Sequence, residues 1–265
     1  MAAPQKVEIL DTLKEPFTEL GLAVHEHSPS VHFIFQRLMS RIELISSVRD
    51  RFIALARIYS LRRDVDNFNK AIFNLRKNNF SADADIGVLE DAVTNGYGTV
   101  ALETAYSMKE KNAYFDTVSI FEALLTCGQI EALRNIFEKY RQNLVVTERG
   151  AIMKEIIRAS EVASELKLNE KLLAKQYDIF GEVLRAHNVH WSTYQPQVKI
   201  RTYVEGGPSF LLQYDVYANA VMTANLNRKI ARALAEGDAV VTGVTLRVKP
   251  EISMTLEEQL AAFAE

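Results

Sequence analysis

The segment YFDTVSIFEALLTCGQIEALRNIFEKY, residues 114–140, decides the fold. Its apolar residues recur with a period near 3.6 on both sides of Cys127-Gly128, which is the spacing of one face of an α-helix. Two helices, Tyr114–Thr126 and Ile130–Arg141, are therefore expected, joined by a turn too short to allow anything but antiparallel neighbours.

The same pattern extends in both directions. Arg49–Leu61 and Val65–Asn78 form a pair across Arg62-Arg63-Asp64. Ala84–Asn95 and Thr99–Lys111 form another across Gly96-Tyr97-Gly98. Glu148–Leu166, with Thr147 as its cap, and Glu170–Ala186, capped by Asn169, form a last one. The pairs start near 49, 84, 114 and 148, at intervals of 35, 30 and 34. A two-helix unit recurring every 30–35 residues is the signature of an α-solenoid. The expected fold is mainly α, an α-solenoid of about four helical hairpins.

Breakers support this reading. Gly and Pro occupy 17 of 265 positions, where average composition gives about 32. No proline occurs between Pro29 and Pro196. An all-β sandwich or barrel needs far more turns, and a chain 48% hydrophobic with net charge −3 is not disordered. Residues 1–30 read as an N-terminal arm, in which Val7, Leu10, Leu13 and Phe17 have helical spacing before Ser28-Pro29-Ser30. Residues 31–190 form the helical-repeat domain.

From Trp191 the pattern changes. Gln197–Val204 and Phe210–Tyr217 alternate with period two around Glu205-Gly206-Gly207-Pro208-Ser209, a β-hairpin signal. Asn219–Glu236 is helical with Gly237 as its C′ residue. Ala239–Val248 is a third strand, ended by Pro250. Thr255-Leu-Glu-Glu opens a short helix with a capping box. Residues 191–265 thus form a small α+β region, ββαβ.

The residues bearing reactive groups each have a plain structural explanation. His25, His27, His187 and His190 have no matching cysteine pair for a metal. Gly96-x-Gly98 joins two helices, so it is a turn and not a phosphate loop. Gly206-Gly207 suits a hairpin. Cys127 has no nearby base and sits where small residues let helices approach. Asp64/Asp66 and Asp83/Asp85 lie at helix N-termini, where the macrodipole favours acids. No catalytic, cofactor or metal site is assigned.

Charge is uneven. Residues 31–80 hold ten bases against four acids, a net +6 that leaves −9 for the other 215 residues. Arg37, Arg41, Arg57, Arg62, Arg63, Lys70, Arg76 and Lys77 are the candidates for contacting nucleic acid or an acidic partner. Arg37, Arg41 and Arg57 are expected to share a face, with Arg62 and Arg63 at its end. Phe33, Phe35, Phe52, Tyr59, Phe68, Phe73 and Phe80 lie among them. Aromatics beside arginines can stack single-stranded bases, but at this helical spacing a place in the core is the better reading. The remaining bulk features are a pI near 6.0, a single cysteine suited to a reducing compartment, and the lack of an apolar run of about 18 residues. Met1–Asp11 has neither an apolar signal core nor the Arg-rich character of a transit peptide.

Residues 114–140 resemble a pentatricopeptide repeat: an aromatic opens the first helix, Gly128 makes the turn, and Ala132-Leu133, Phe137 and a charged run follow. The 96–111 half-pair has the same outline, with Gly96, Ala101-Leu102, Tyr106 and Met108-Lys-Glu-Lys. The 49–78 pair is closer to a tetratricopeptide repeat, through Leu55-Ala56, Tyr59 and Asp64-Val-Asp66. Within the family, residues 49–142 look most like the pentatricopeptide-type protein of the mitochondrial ribosomal small subunit. The resemblance implies a non-catalytic scaffold subunit on the matrix side of the mitochondrion, contacting rRNA and neighbouring proteins; without it, a cytoplasmic chain is expected. Asp64-Val-Asp66-Asn-Phe68 also resembles helical-repeat accessory subunits of respiratory complexes, and these imply protein contacts only.

Overall fold

The computed structural model describes residues 12–25, 28–78, 83–110, 117–140, 142, 146–189, 197–201, 208–216 and 218–250. These residues form eleven helices and three strands. The chain is mainly helical, with a small sheet near its C-terminal end.

Three expected hairpins are present: α3 (Val48–Leu61) with α4 (Val65–Lys77), α5 (Asp83–Thr94) with α6 (Gly98–Glu110), and α7 (Thr117–Thr126) with α8 (Ile130–Tyr140). Their first helices follow one another, α5 lying between α3 and α7. Each hairpin turns through one left-handed residue, Arg63 (φ 59°), Gly96 (φ 70°) or Gly128 (φ 74°). In each case the next amide reaches back to the helix just ended: Asp64 N to Tyr59 O, Tyr97 N to Ala92 O, and Gln129 N to Leu124 O. This is the closing motif that satisfies the last carbonyls of a helix. The three turn residues recur at 33 and 32 residues.

The fourth pair is not a hairpin. The link is short, but α9 (Val146–Glu165) leans on α8, whereas α10 (Glu170–Ala186) crosses back onto α6. Asn169 caps α10 by accepting from Leu172 N at 3.1 Å. Thr147 lies within α9 and so is not its cap. The return of α10 depends on glycine. A Cβ on Gly98 would meet the Ala174 carbonyl and stand 2.8 Å from Tyr177 Cβ, and one on Gly181 would stand 2.7 Å from Gly96 Cα. Only bare backbone lets these helices cross so closely. Tyr177, Phe180 and Leu184 of α10 are then fully buried, a contribution of about 2–3 kcal/mol each.

N-terminal to the hairpins, α1 (Lys14–His25) and α2 (Val31–Glu43) pack on one another and on α3. Leu13, Leu20, Ile34, Leu38, Ile42 and Ile58 form their shared core.

The sheet has the order β1-β2-β3. β1 (Gln197–Arg201) runs antiparallel to β2 (Ser209–Val216), and β3 (Val244–Pro250) lies parallel to β2 on its other side. Helix α11 (Ala220–Glu236) makes the crossover and packs on β3 and α10. The third strand starts later than its sequence suggested, because Asp238 (φ 48°) and Gly243 (φ 78°) turn the intervening chain. Asp238, not Gly237, takes the left-handed position after α11. Pro250 is the last residue of the strand and not its terminator. Phe210 N donates to Gly243 O, so odd-numbered residues of β3 face β2 and even-numbered ones face outward. The missing N–H of Pro250 therefore costs the ladder nothing.

Leu212, Tyr214, Val216, Leu226, Ile230 and Val248 belong to the same apolar cluster as the hairpins. The Tyr214 and Phe180 rings meet at a 40° tilt, with centroids 4.7 Å apart. Tyr214 donates to Thr126 O at 2.6 Å and Tyr177 to Val93 O at 2.8 Å. Strand β2 and helix α10 are thus fastened to the C-terminal ends of α7 and α5. The expected hairpin glycines Gly206-Gly207 and the Thr255 helix lie outside the described residues. No described helix is long and apolar enough to cross a membrane.

Candidate functional site

The eight basic candidates are carried by α2, α3, α4 and the turn between α3 and α4, and they do not gather on one face. Arg37 turns toward α1, pairs with Glu19, and lies beside the Phe33 ring. Arg57 turns the other way, toward α5, and pairs with Asp91, a carboxylate only 4% exposed. These two arginines point at different neighbours, so the shared face expected from the sequence does not form. Arg62 lies 4.2 Å from the Phe35 ring centroid, a cation–π contact between α3 and α2.

Arg57 begins a polar seam between α3 and α5. One turn on, buried Asn95 donates to buried Ser60 at 2.5 Å and to Asp91 O at 2.9 Å. Partners here are 34 and 35 residues apart in sequence, close to the spacing of the turns. The seam therefore joins the first helices of two successive hairpins. It continues to Arg63, which donates to Val189 O at 2.9 Å beyond the end of α10. Burial, with Arg185 nearby, lowers the Arg63 guanidinium to about 10. Arg185 stacks 4.5 Å from the Tyr97 ring centroid and donates to Asn95 O and Gly96 O. These arginines hold helix ends, where cations are favoured.

Arg76 is tied to Glu103 and to Thr104 Oγ1. That leaves Arg41, Lys70 and Lys77, all exposed and without an ion-pair partner among the described residues. Lys70 makes only a 3.5 Å contact to Asn67 Oδ1. Lys70 and Lys77 lie on the outer side of α4, around Phe73, which is 65% exposed. A groove of about 430 Å³ runs beside them, lined by Asp66, Asn69, Lys70, Phe73 and Asn74. Phe73 was legible in the sequence only as one of many aromatics. The signal that separates it from Phe68 and Tyr59 is its place opposite the buried stripe Phe68, Ala71, Ile72 and Leu75.

Cys127 is fully buried at the end of α7, and its Sγ faces Leu124 O. Burial pushes its thiol up to about 12, so it stays protonated near neutrality and is a poor nucleophile. His187 bonds Val183 O through Nδ1 at 2.8 Å, and its Nε2 accepts from Lys229. His27 and His190 lie outside the described residues. Asp64 caps α4, accepting from Asn67 N and Nδ2. A second groove, about 190 Å³, lies where α8 begins and α9 ends. There Glu170 accepts from Glu131 N, Ala132 N and the Tyr106 hydroxyl, so the α8 terminus already holds an internal carboxylate.

Comparisons with protein-family models, curated proteins and solved structures give no match.

Proposed function

We propose that this chain is a non-catalytic scaffold subunit of a large mitochondrial assembly, in which hairpins α3/α4, α5/α6 and α7/α8 act as a short α-solenoid and partners bind chiefly through protein–protein contacts. One observation carries the protein-contact reading: the basic side chains of residues 31–80 are largely spent inside the chain. Arg37, Arg57 and Arg76 have carboxylate partners, Arg62 covers an aromatic ring, and Arg63 holds a carbonyl. Phosphate affinity scales with the number of phosphates that free cations neutralise, and few free cations remain. The exposed apolar residues Phe33, Leu44 and Phe73 suit a protein interface better. The resemblance of residues 114–140 to a pentatricopeptide repeat supports mitochondrial residence. Between the two assemblies, an accessory subunit of a respiratory or ATP synthase complex fits the spent charge better.

A second reading, a subunit of the mitochondrial ribosomal small subunit, draws on Lys70, Phe73 and Lys77, an exposed ring flanked by free cations. Gradient sedimentation of a mitochondrial lysate separates the two. The first reading expects co-migration with a detergent-extracted membrane complex, unchanged by RNase. Co-migration with small-subunit rRNA, lost on RNase treatment, establishes the second. Migration as a free 29.9 kDa chain refutes both.

A further inference from the structure

We infer that this chain pairs with a second copy of itself by exchange: α10, the sheet and α11 of each copy dock on the hairpins of the other. The hinge is the link from Leu166 to Asn169, between α9 and α10. The exchanged dimer doubles the hairpins a scaffold can present, whichever assembly holds it.

Sequence and structure conflict at this link. Leu166, Lys167 and Leu168 are strong helix formers, and neither Gly nor Pro occurs between Gly150 and Gly181. Local preference is therefore for one helix running on through α9 and α10. In the structure the chain turns instead. Lys167 is left-handed (φ 52°), and Leu168 N donates to Ala163 O at 3.0 Å, the same closing motif as in the three hairpins. Glycine holds the left-handed place in two of those turns; a lysine holds it at a steric cost. Short hinges under strain favour exchange. Opening this one separates helices that pack on different neighbours, α9 on α8 and α10 on α6 and α11.

The contacts that hold α10 and the sheet on the hairpins all cross the hinge. Glu170 accepts from Glu131 N and Ala132 N, and Asp178 from Thr99 N. Tyr177 donates to Val93 O, and Tyr214 to Thr126 O. Gly181 lies against Gly96, and Tyr177, Phe180 and Leu184 are buried. A foreign helix has to match all of these, whereas the α10 of a second copy matches them by identity. The exchanged and closed forms therefore differ in the hinge and in the entropy of pairing.

The test passes the full chain, concentrated and also after partial denaturation and refolding, over size exclusion with light scattering. Wild type should give a dimer that reverts slowly on dilution. Asn169→Ala removes a cap that only the closed form needs, and should raise the dimerisation constant roughly tenfold or more. Lys167→Gly relieves the left-handed strain and should lower it by a comparable factor. Both positions are exposed, and circular dichroism checks the fold. A Thr99→Cys/Asp178→Cys chain identifies the route, because these side chains meet across the hinge and Cys127 is buried. A short bis-maleimide joins the two cysteines between chains in an exchanged dimer and within one chain in the closed form. Denaturing electrophoresis of the isolated dimer should then show dimer mass. Monomer mass means that closed chains associate by their surfaces, and it overturns the inference. So does the absence of dimer from both wild type and Asn169→Ala, or a dimerisation constant that neither substitution moves.

Discussion

Gly181→Ala distinguishes helix propensity from helix crossing, because the two give opposite signs. Gly181 lies inside α10 and does not have a positive φ. On propensity alone, alanine should stabilise by about 1 kcal/mol. The added Cβ, however, would stand 2.7 Å from both Gly96 Cα and Arg185 Nη1. Arg185 can swing away, but the Gly96 backbone is held by its own turn and cannot. Relieving the overlap means moving α10 off α6 by a large fraction of an ångström, along a contact that includes Tyr177 and Phe180. Overpacking of this kind costs about 1–3 kcal/mol and sometimes more. Net of propensity, destabilisation of up to about 2 kcal/mol is expected, a fall of up to several degrees in Tm for a chain of this size. Gly98→Ala should behave alike. The double variant should cost less than the sum, since one displacement relieves both overlaps. Urea denaturation followed by circular dichroism measures all three. A Gly181→Ala chain more stable than wild type would refute the close crossing.

Arg57→Ala leaves the Asp91 carboxylate buried without its counter-charge and should cost about 3 kcal/mol in chemical denaturation, much of it recovered in R57A/D91N. Asn227 donates to Val248 O at 2.9 Å and accepts from Val248 N at 2.8 Å on the outward edge of β3. Asn227→Ala should lose about 1–3 kcal/mol, and light scattering should detect self-association through the opened edge. Burial raises the Asp178 carboxyl even though Thr99 N and Oγ1 donate to it. The folded state therefore holds this proton more tightly than the unfolded state, and the stability it contributes is lost as pH rises from about 3.8 through the raised value. Asp178→Asn carries no such loss, so its stability relative to wild type should climb across that window in denaturation series at pH 3–7. A flat difference would contradict the assignment.

Much of the local chemistry was legible in the sequence, although Thr147 and Gly237 were misplaced by a residue or two. Asn169 and Asp64 cap the helices they precede, and the Gly96 and Gly128 turns fall where their glycines stand. The ββαβ order holds because the period-two alternation of the strands and the helical period of residues 219–236 are short-range signals. Long-range features were not legible. Nothing near Glu170 says that α10 returns to α6, because the reason, bare backbone at Gly96, Gly98 and Gly181, is divided between segments far apart in sequence. Arg63 turns a hairpin as Gly96 and Gly128 do, but an arginine does not advertise a left-handed residue. The basic stretch misled for a related reason. A count of charges reports neither that Glu19, Asp91 and Glu103 arrive from other helices nor which cations they leave free.

The crossing of α10 over α6 also has a consequence during synthesis. A stack whose units touch only their neighbours can fold as it emerges, one hairpin after another. Here Thr99 waits for Asp178, 79 residues further on, and Gly98 waits for the backbone beside Ala174. At about 5–20 residues per second, the face of α6 that α10 will cover stays bare for several seconds on the nascent chain. That interval is when the protein is most open to misassociation, and it ends only when the tenth helix has been made.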